Sequence, residues 1–160
     1  MSSPAEVIHQ LLLDLDLGAL SGDSGDWQIF IGFLPEEPEE AICVYDTAGI
    51  MDGRIMVTGE KIVHPGIQIR IRGTDYRRTF AKVQDIAISF DIQRRISVAV
   101  SSAGLYVVHN VSRTGDILPL GVEEKGSQRR YHFTINAIVT LEGDDLNLLS
   151  TEDGDYRILE

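Results

Sequence analysis

The sequence predicts an α+β domain: two helices packed on one face of a mixed or antiparallel sheet of about four to six strands, with a projecting loop and an acidic C-terminal tail. Three stretches carry this expectation. Ile67, Ile69 and Ile71 alternate with Gln68, Arg70 and Arg72, the period-two pattern of a strand with one buried face. After Gly73, with Thr74 or Asp75 as N-cap, Tyr76, Phe80, Val83, Ala87 and Phe90 recur at helical spacing. The loop between is so short that the helix must fold its apolar stripe back onto the isoleucine face. Finally, Arg130 to Leu141 is the longest strand candidate, with Tyr131, Phe133, Ile135, Ala137 and Val139 on one side.

In chain order, Ser3, Pro4 and Glu6 have the spacing of a capping box with proline at the first helical position. Val7, Ile8, Leu11, Leu12 and Leu15 then form an apolar stripe, and Gly18 is placed to terminate the helix. Leu20 to Asp26 is a loop by composition. Trp27 to Phe33 and Ala41 to Asp46 read as strands joined by the proline-bounded acidic turn Leu34 to Glu40, and they are expected to pair as a hairpin. Thr47 to Val63 has a weak pattern and is expected to be a projecting loop or arm. Ser97 to Ser102 is a loop or short strand, Leu105 to Val111 a strand, Ile117 to Gly121 a continuation into a loop, and Glu123 to Ser127 a turn. Residues 1–141 then make one domain and 142–160 an acidic extension that orders only against a neighbour.

At 160 residues the chain can bury roughly two-thirds of its unfolded surface without a metal or disulfide staple. The single cysteine, Cys43, excludes an internal disulfide and is expected to be buried and inert. A net charge of −11 argues against a body that grips nucleic acid through its phosphates. No window approaches the ~18 apolar residues of a membrane span, and the N-terminus lacks the layout of a secretion signal, so the chain is expected to be made in the cytoplasm.

Sequence fragments that resemble catalytic motifs lack their partners. Asp46-Thr47-Ala48-Gly49 resembles the metal-side motif of small GTPases, but no GxxxxGK[ST] loop precedes it to cradle phosphates. Gly22-Asp23-Ser24-Gly25 resembles the nucleophile loop of trypsin-like proteases, but Asp26 follows where glycine is needed and no histidine motif accompanies it. The four histidines, at 9, 64, 109 and 132, have no metal-ligand spacing; His9 is expected on the helix surface and the others in strands. No catalytic residue, metal site or cofactor is expected.

Several signatures in order are similar to those of the tail terminator proteins of long-tailed bacteriophages. They are the Glu36-Glu37-Pro38 turn, the stretch Ile42 to Gly49, and Pro65 to Gly73 leading into the helix. Pro119-Leu120-Gly121, followed by a charged turn and a last alternating strand, extends the likeness. The Ile50 to Ile62 loop and the extension after Glu142 depart from that pattern. The resemblance implies a structural virion protein forming a ring, generally of six subunits. Such a ring caps the tail tube, ends its polymerisation and offers a docking face to the head–tail connector or stopper, while DNA passes through the bore without specific binding.

Under that resemblance, Arg70 and Arg72, expected on the outward strand face, are candidates to pair with acids of an adjacent subunit. Met51, Arg54, Ile55, Met56, Val57 and Lys61 of the projecting loop are candidates to touch the tube or a neighbour. Arg94 and Arg95 follow the second helix, where its dipole favours positive charge, and complete the candidate interface. The alternatives are another head–tail connector component, such as a stopper or completion protein, a small enzyme, or an acidic regulatory binding module. The opening helix separates the chain from tail-tube proteins, which are dominated by strands.

Overall fold

A computed structural model of the chain describes residues 2–50, 62–100 and 104–142, together with the backbone of 148–150 and 156–158. Helix α1 spans Pro4–Asp14. The capping box forms as expected: the Ser3 hydroxyl accepts from the Glu6 amide at 3.2 Å, and the Glu6 carboxylate accepts from the Ser3 amide at 2.9 Å. A second acceptor comes from a distant strand, where Asp46 Oδ1 takes the Ala5 amide at 2.9 Å. The helix ends without using Gly18. Asp16 adopts the left-handed conformation at φ 57°, while Gly18 is small because a Cβ there would lie 2.6 Å from Ile29 Cγ1 and from the Trp27 carbonyl.

Strands β1 (Ala19–Leu20), β2 (Gln28–Ile31), β3 (Ala41–Ile50) and β4 (Ile62–Gly73) precede helix α2 (Tyr76–Ile92). After it come β5 (Ile96–Val100), β6 (Gly104–Arg113), β7 (Leu118–Lys125) and β8 (Gln128–Glu142). These eight strands form one mixed sheet in the order β1-β2-β3-β4-β8-β6-β5, with β7 also on β8, so the sheet is larger than the four to six strands expected. The extra strands come from stretches whose side chains do not alternate cleanly. β1 has two residues, and β7 is exposed along almost its whole length, so neither shows a buried periodicity. β6 and β7 run consecutively along the same side of β8, Val107 to Arg113 opposite Glu142 to Ala137 and Leu118 to Lys125 opposite Thr134 to Gln128. The Glu123–Ser127 turn therefore shrinks to Gly126 and Ser127, since Glu123 to Lys125 belong to the ladder.

The expected hairpin between β2 and β3 is not formed. The two strands are parallel, Ile29 beside Ile42 and Ile31 beside Val44. A hairpin needs a tight reversal; here the nine residues between them cross one face of the sheet and return the chain to the starting end of the ladder. β3 and β4 pair antiparallel from Ala41↔Arg72 to Ile50↔His64, so part of the expected arm is ladder, and residues 51–61 lie outside the described residues. Beyond the sheet, the backbone of β9 (Leu148–Ser150) pairs antiparallel with that of β10 (Tyr156–Ile158).

β4 is the middle of the packing. Its neighbours place Ile42, Ile71 and Phe133 in one transverse row and Val44, Ile69 and Ile135 in the next, all at most 3% exposed. The helices cover these rows, with Ile8, Leu11 and Leu12 of α1 and Val83, Ile86, Ala87 and Phe90 of α2 in the same core. Asp75, the N-cap of α2, accepts from the Arg78 amide at 2.8 Å. Gly73 lets the strand-to-helix corner close, because a Cβ there would lie 2.1 Å from Thr79 Oγ1. Tyr76 departs from the expected stripe: it is half exposed, with its ring parallel to that of Phe80 and meeting Tyr131 edge-on and Phe133 at a tilt, at the core's margin.

Candidate functional site

The sheet face turned away from the helices is polar, and the connection between β2 and β3 covers one end of it. Two arginines hold that connection down. Arg130, at 0% exposure, projects from β8 and makes a fork to Glu39, with Nε to Oε2 at 2.7 Å and Nη2 to Oε1 at 2.9 Å. It also donates to the Glu36 carbonyl at 2.9 Å and to the Glu36 carboxylate at 3.3 Å. Arg72 donates to the backbone carbonyls of Glu36, Pro38 and Glu39. At the outer side, Lys125 Nζ lies 2.7 Å from Glu36 and 3.0 Å from Glu37.

This clasp shifts the groups it joins. The hydrogen bond from Lys125 holds the Glu36 carboxyl below the usual glutamate range, and that from Arg130 does the same for Glu39. Burial lowers the Arg72 pKa, with the neighbouring Arg130 charge adding to the effect. Both guanidiniums nevertheless remain cationic at neutral pH.

The outward position expected for Arg72 is thus corrected: it is 3% exposed, because the crossing loop lies over it. Arg70, two residues earlier, is exposed as expected, with its guanidinium 5.3 Å from the Tyr45 ring centre and Nε 3.3 Å from Gln68 Oε1. Gln68 in turn donates to Asn136 at 3.1 Å. Arg94 and Arg95 are exposed just beyond the end of α2, whereas Arg70 stands on β4. The structure therefore does not bring the sequence candidates into one site. Met51, Arg54, Ile55, Met56, Val57 and Lys61 lie outside the described residues.

Sequence reasoning missed Arg130, Glu36, Glu39 and Lys125. Their signal was present but mute: Arg130 occupies a polar-face position of β8, and three glutamates stand within four residues of a loop, yet nothing local says that the loop crosses the sheet.

Other chemistry-bearing groups have structural partners. Asp46 caps α1. His9 is half buried, not on the open helix surface, with Nε2 3.2 Å from the Ile29 carbonyl, and burial lowers its pKa. His109 meets Glu142 at 2.8 Å and His132 meets Glu123 at 3.1 Å. The thiol of Cys43 is buried and its pKa pushed up by that burial. An open groove of about 600 Å³ is lined by Asp91 and residues 110–116, but its one cation, Arg113, is held by a two-bond fork to Asp91. Among the described residues, no three His, Cys, Asp or Glu side chains converge as a metal site would require.

The comparison with known families is decisive where chemistry is silent. The family model described as bacteriophage tail terminator protein matches residues 11–142, most of the chain. The chain belongs to the bacteriophage tail terminator family. No curated protein matches it significantly. The matched span of this tail terminator runs from the last turn of α1 to the end of β8, and so includes both the clasp and the exposed Arg70. It is a structural protein of the phage tail by that membership. No helix among the described residues is long and apolar enough to cross a membrane.

Proposed function

We propose that this tail terminator assembles into a ring, six-fold as in the family's general pattern, that caps the tail tube and stops its growth. The observation that carries this is the family match over residues 11–142. Growth stops when one face of the ring matches the tube's last layer and the other face no longer offers the tube subunit's own interface. That second face is then free for the head–tail connector or stopper protein. Arg70 serves contacts between copies, supported by its exposure and by the absence of any carboxylate ion pair for it among the described residues. Arg94 and Arg95 and the segment from Met51 to Lys61 are further proposed contacts with neighbours or tube.

The passing DNA meets an acidic or neutral bore. The support is the net charge of −11, which disfavours tight phosphate binding. Purified protein imaged by negative stain and sized by sedimentation tests the ring directly. Phage lacking the protein should build tubes of uncontrolled length; tubes of normal length would refute the capping role.

A further inference from the structure

The end of α2 and the end of β8 lie close together. β4 leads away from the place where β8 finishes, with Ile62 opposite Glu142 and Gly73 opposite Tyr131. α2 leads back: Asp91 in its last turn forks to Arg113, whose cross-strand partner is Ala137, and Ile96 stands across β6 from Leu141. Ile96 is thus two strand spacings, roughly 10 Å, from the point where the chain leaves the sheet.

This end of α2 is apolar and basic. Ile88 and Ile92, one helical turn apart on the same side, are 56% and 71% exposed. Arg94 and Arg95 follow, both exposed, and among the described residues neither guanidinium has an ion pair or hydrogen bond. The nearby acids are engaged, Asp91 by Arg113 and Asp85 with Lys82. In a chain of net charge −11, two adjacent unpaired arginines beside an exposed apolar strip fit an occupant that is both acidic and apolar.

Such an occupant is covalently at hand. Residues 143–160 carry six acids against one arginine, together with Leu146, Leu148, Leu149, Tyr156, Ile158 and Leu159. Their β9–β10 backbone ladder forms a sheet separate from the main one, and a two-stranded hairpin by itself is marginally stable at best in water, so it needs a surface. A segment of this length starting at Glu142 spans the ~10 Å with ease. We propose that residues 143–160 fold back onto their own chain, their acids at Arg94 and Arg95 and the β9–β10 hairpin over Ile88 and Ile92. The two arginines then meet neighbouring copies only through the segment they hold, and the inference stands or falls apart from the ring reading.

The test uses the full chain. Amide exchange over 143–160, followed by mass spectrometry, should be slower than in a free peptide of the same sequence. In Arg94→Glu/Arg95→Glu that protection should fall roughly tenfold, as two surface attractions become repulsions. Arg94→Lys/Arg95→Lys keeps the charge and should keep the protection. Exchange in the β4 and β8 strands should be the same in all three proteins, which shows that the body is folded. A carbodiimide should then join the new lysines of the second variant to carboxylates of 143–160. In an equal mixture of ordinary and isotopically heavy chains, the joined peptides should be wholly ordinary or wholly heavy. Mixed peptides would assign the surface to a second copy and overturn the proposal. So would an unprotected segment in the unaltered protein, full protection in the glutamate variant, or no joined peptide at all.

Discussion

On the helix side of the sheet, Ile42, Ile71 and Phe133 meet in one row; one residue along the same three strands, on the opposite side, the row is Ala41, Arg72 and His132. Ile71 and Arg72 are neighbours in sequence and almost equally buried, at 0% and 3% exposure. They are held by different physics. The apolar row is stabilised in proportion to the area it removes from water, so any hydrophobic side chain of similar volume serves. The polar row works only when every donor meets an acceptor, because a buried guanidinium without its partners costs more than it contributes. The first side tolerates approximate sequences, whereas the second depends on particular residues in the loop that crosses it.

The largest effects should come from the apolar side. Phe90→Ala is expected to cost about 3–5 kcal/mol by urea unfolding, while Ile71→Val, which removes one methyl group, should cost only about 0.5–1.5 kcal/mol. Graded losses of this kind are the signature of packing by area.

The clasp should behave without that gradation. Arg130→Met is expected to cost about 2–3 kcal/mol, since it strips hydrogen bonds from Glu39 and from the Glu36 carbonyl. Arg130→Lys keeps the charge but cannot form the fork, so its loss should be close to that of Arg130→Met. A lysine variant as stable as the unaltered protein would show that the site needs only a positive charge, and the contrast between the two faces would collapse.

Acid should then act mainly on the polar side. Glu36 and Glu39 have folded-state pKa values below their ordinary value of 4.5, so the stability they contribute is present above about pH 4.5 and is lost as pH falls through the lowered values. Asp91, held down by its hydrogen bonds from Arg113, adds to the same trend lower still. His9 works higher on the scale. Its folded pKa is below 6.5, so the folded state resists protonation and stability falls as pH drops below about 6.5. Urea midpoints measured from pH 7 to pH 3 should therefore decline in two stages. In Arg130→Met the lower stage should shrink without vanishing while the upper one persists, because Glu39 loses its main partner whereas Glu36 keeps Lys125 and Asp91 keeps Arg113; an unchanged lower stage would remove the Arg130–Glu39 pair as a contributor.

This difference between the faces also explains what the sequence made legible. The helix caps at Ser3 and Asp75, the isoleucine alternation of β4 and the long run of β8 are local signals, and the structure follows them. The parallel pairing of β2 and β3 is not local, because it depends on Arg72 and Arg130 reaching back more than thirty residues to Glu36 and Glu39. Alternation marks Arg72 as pointing away from the helices, which is correct, but pointing away from one layer is not the same as meeting water. β7 escaped for the converse reason: an edge strand exposed on both sides has no periodicity to read.

The smallest stability effect is expected at Arg70, and its smallness is what makes the residue useful. Arg70 and Arg72 lie on the same side of the same strand, but the crossing loop covers only Arg72. Arg70 is exposed and its contacts with Tyr45 and Gln68 are at the surface, so Arg70→Ala should change unfolding stability by no more than about 0.5–1 kcal/mol. A change that leaves the single chain intact can report on contacts between copies without confusion from misfolding. If Arg70→Glu, equally stable, shifts the assembly to higher protein concentration, the uncovered end of the polar face takes part in joining subunits. If sedimentation is unchanged, Arg70 takes no part in joining subunits, and the role left to this face is to fasten the crossing loop through Arg72 and Arg130.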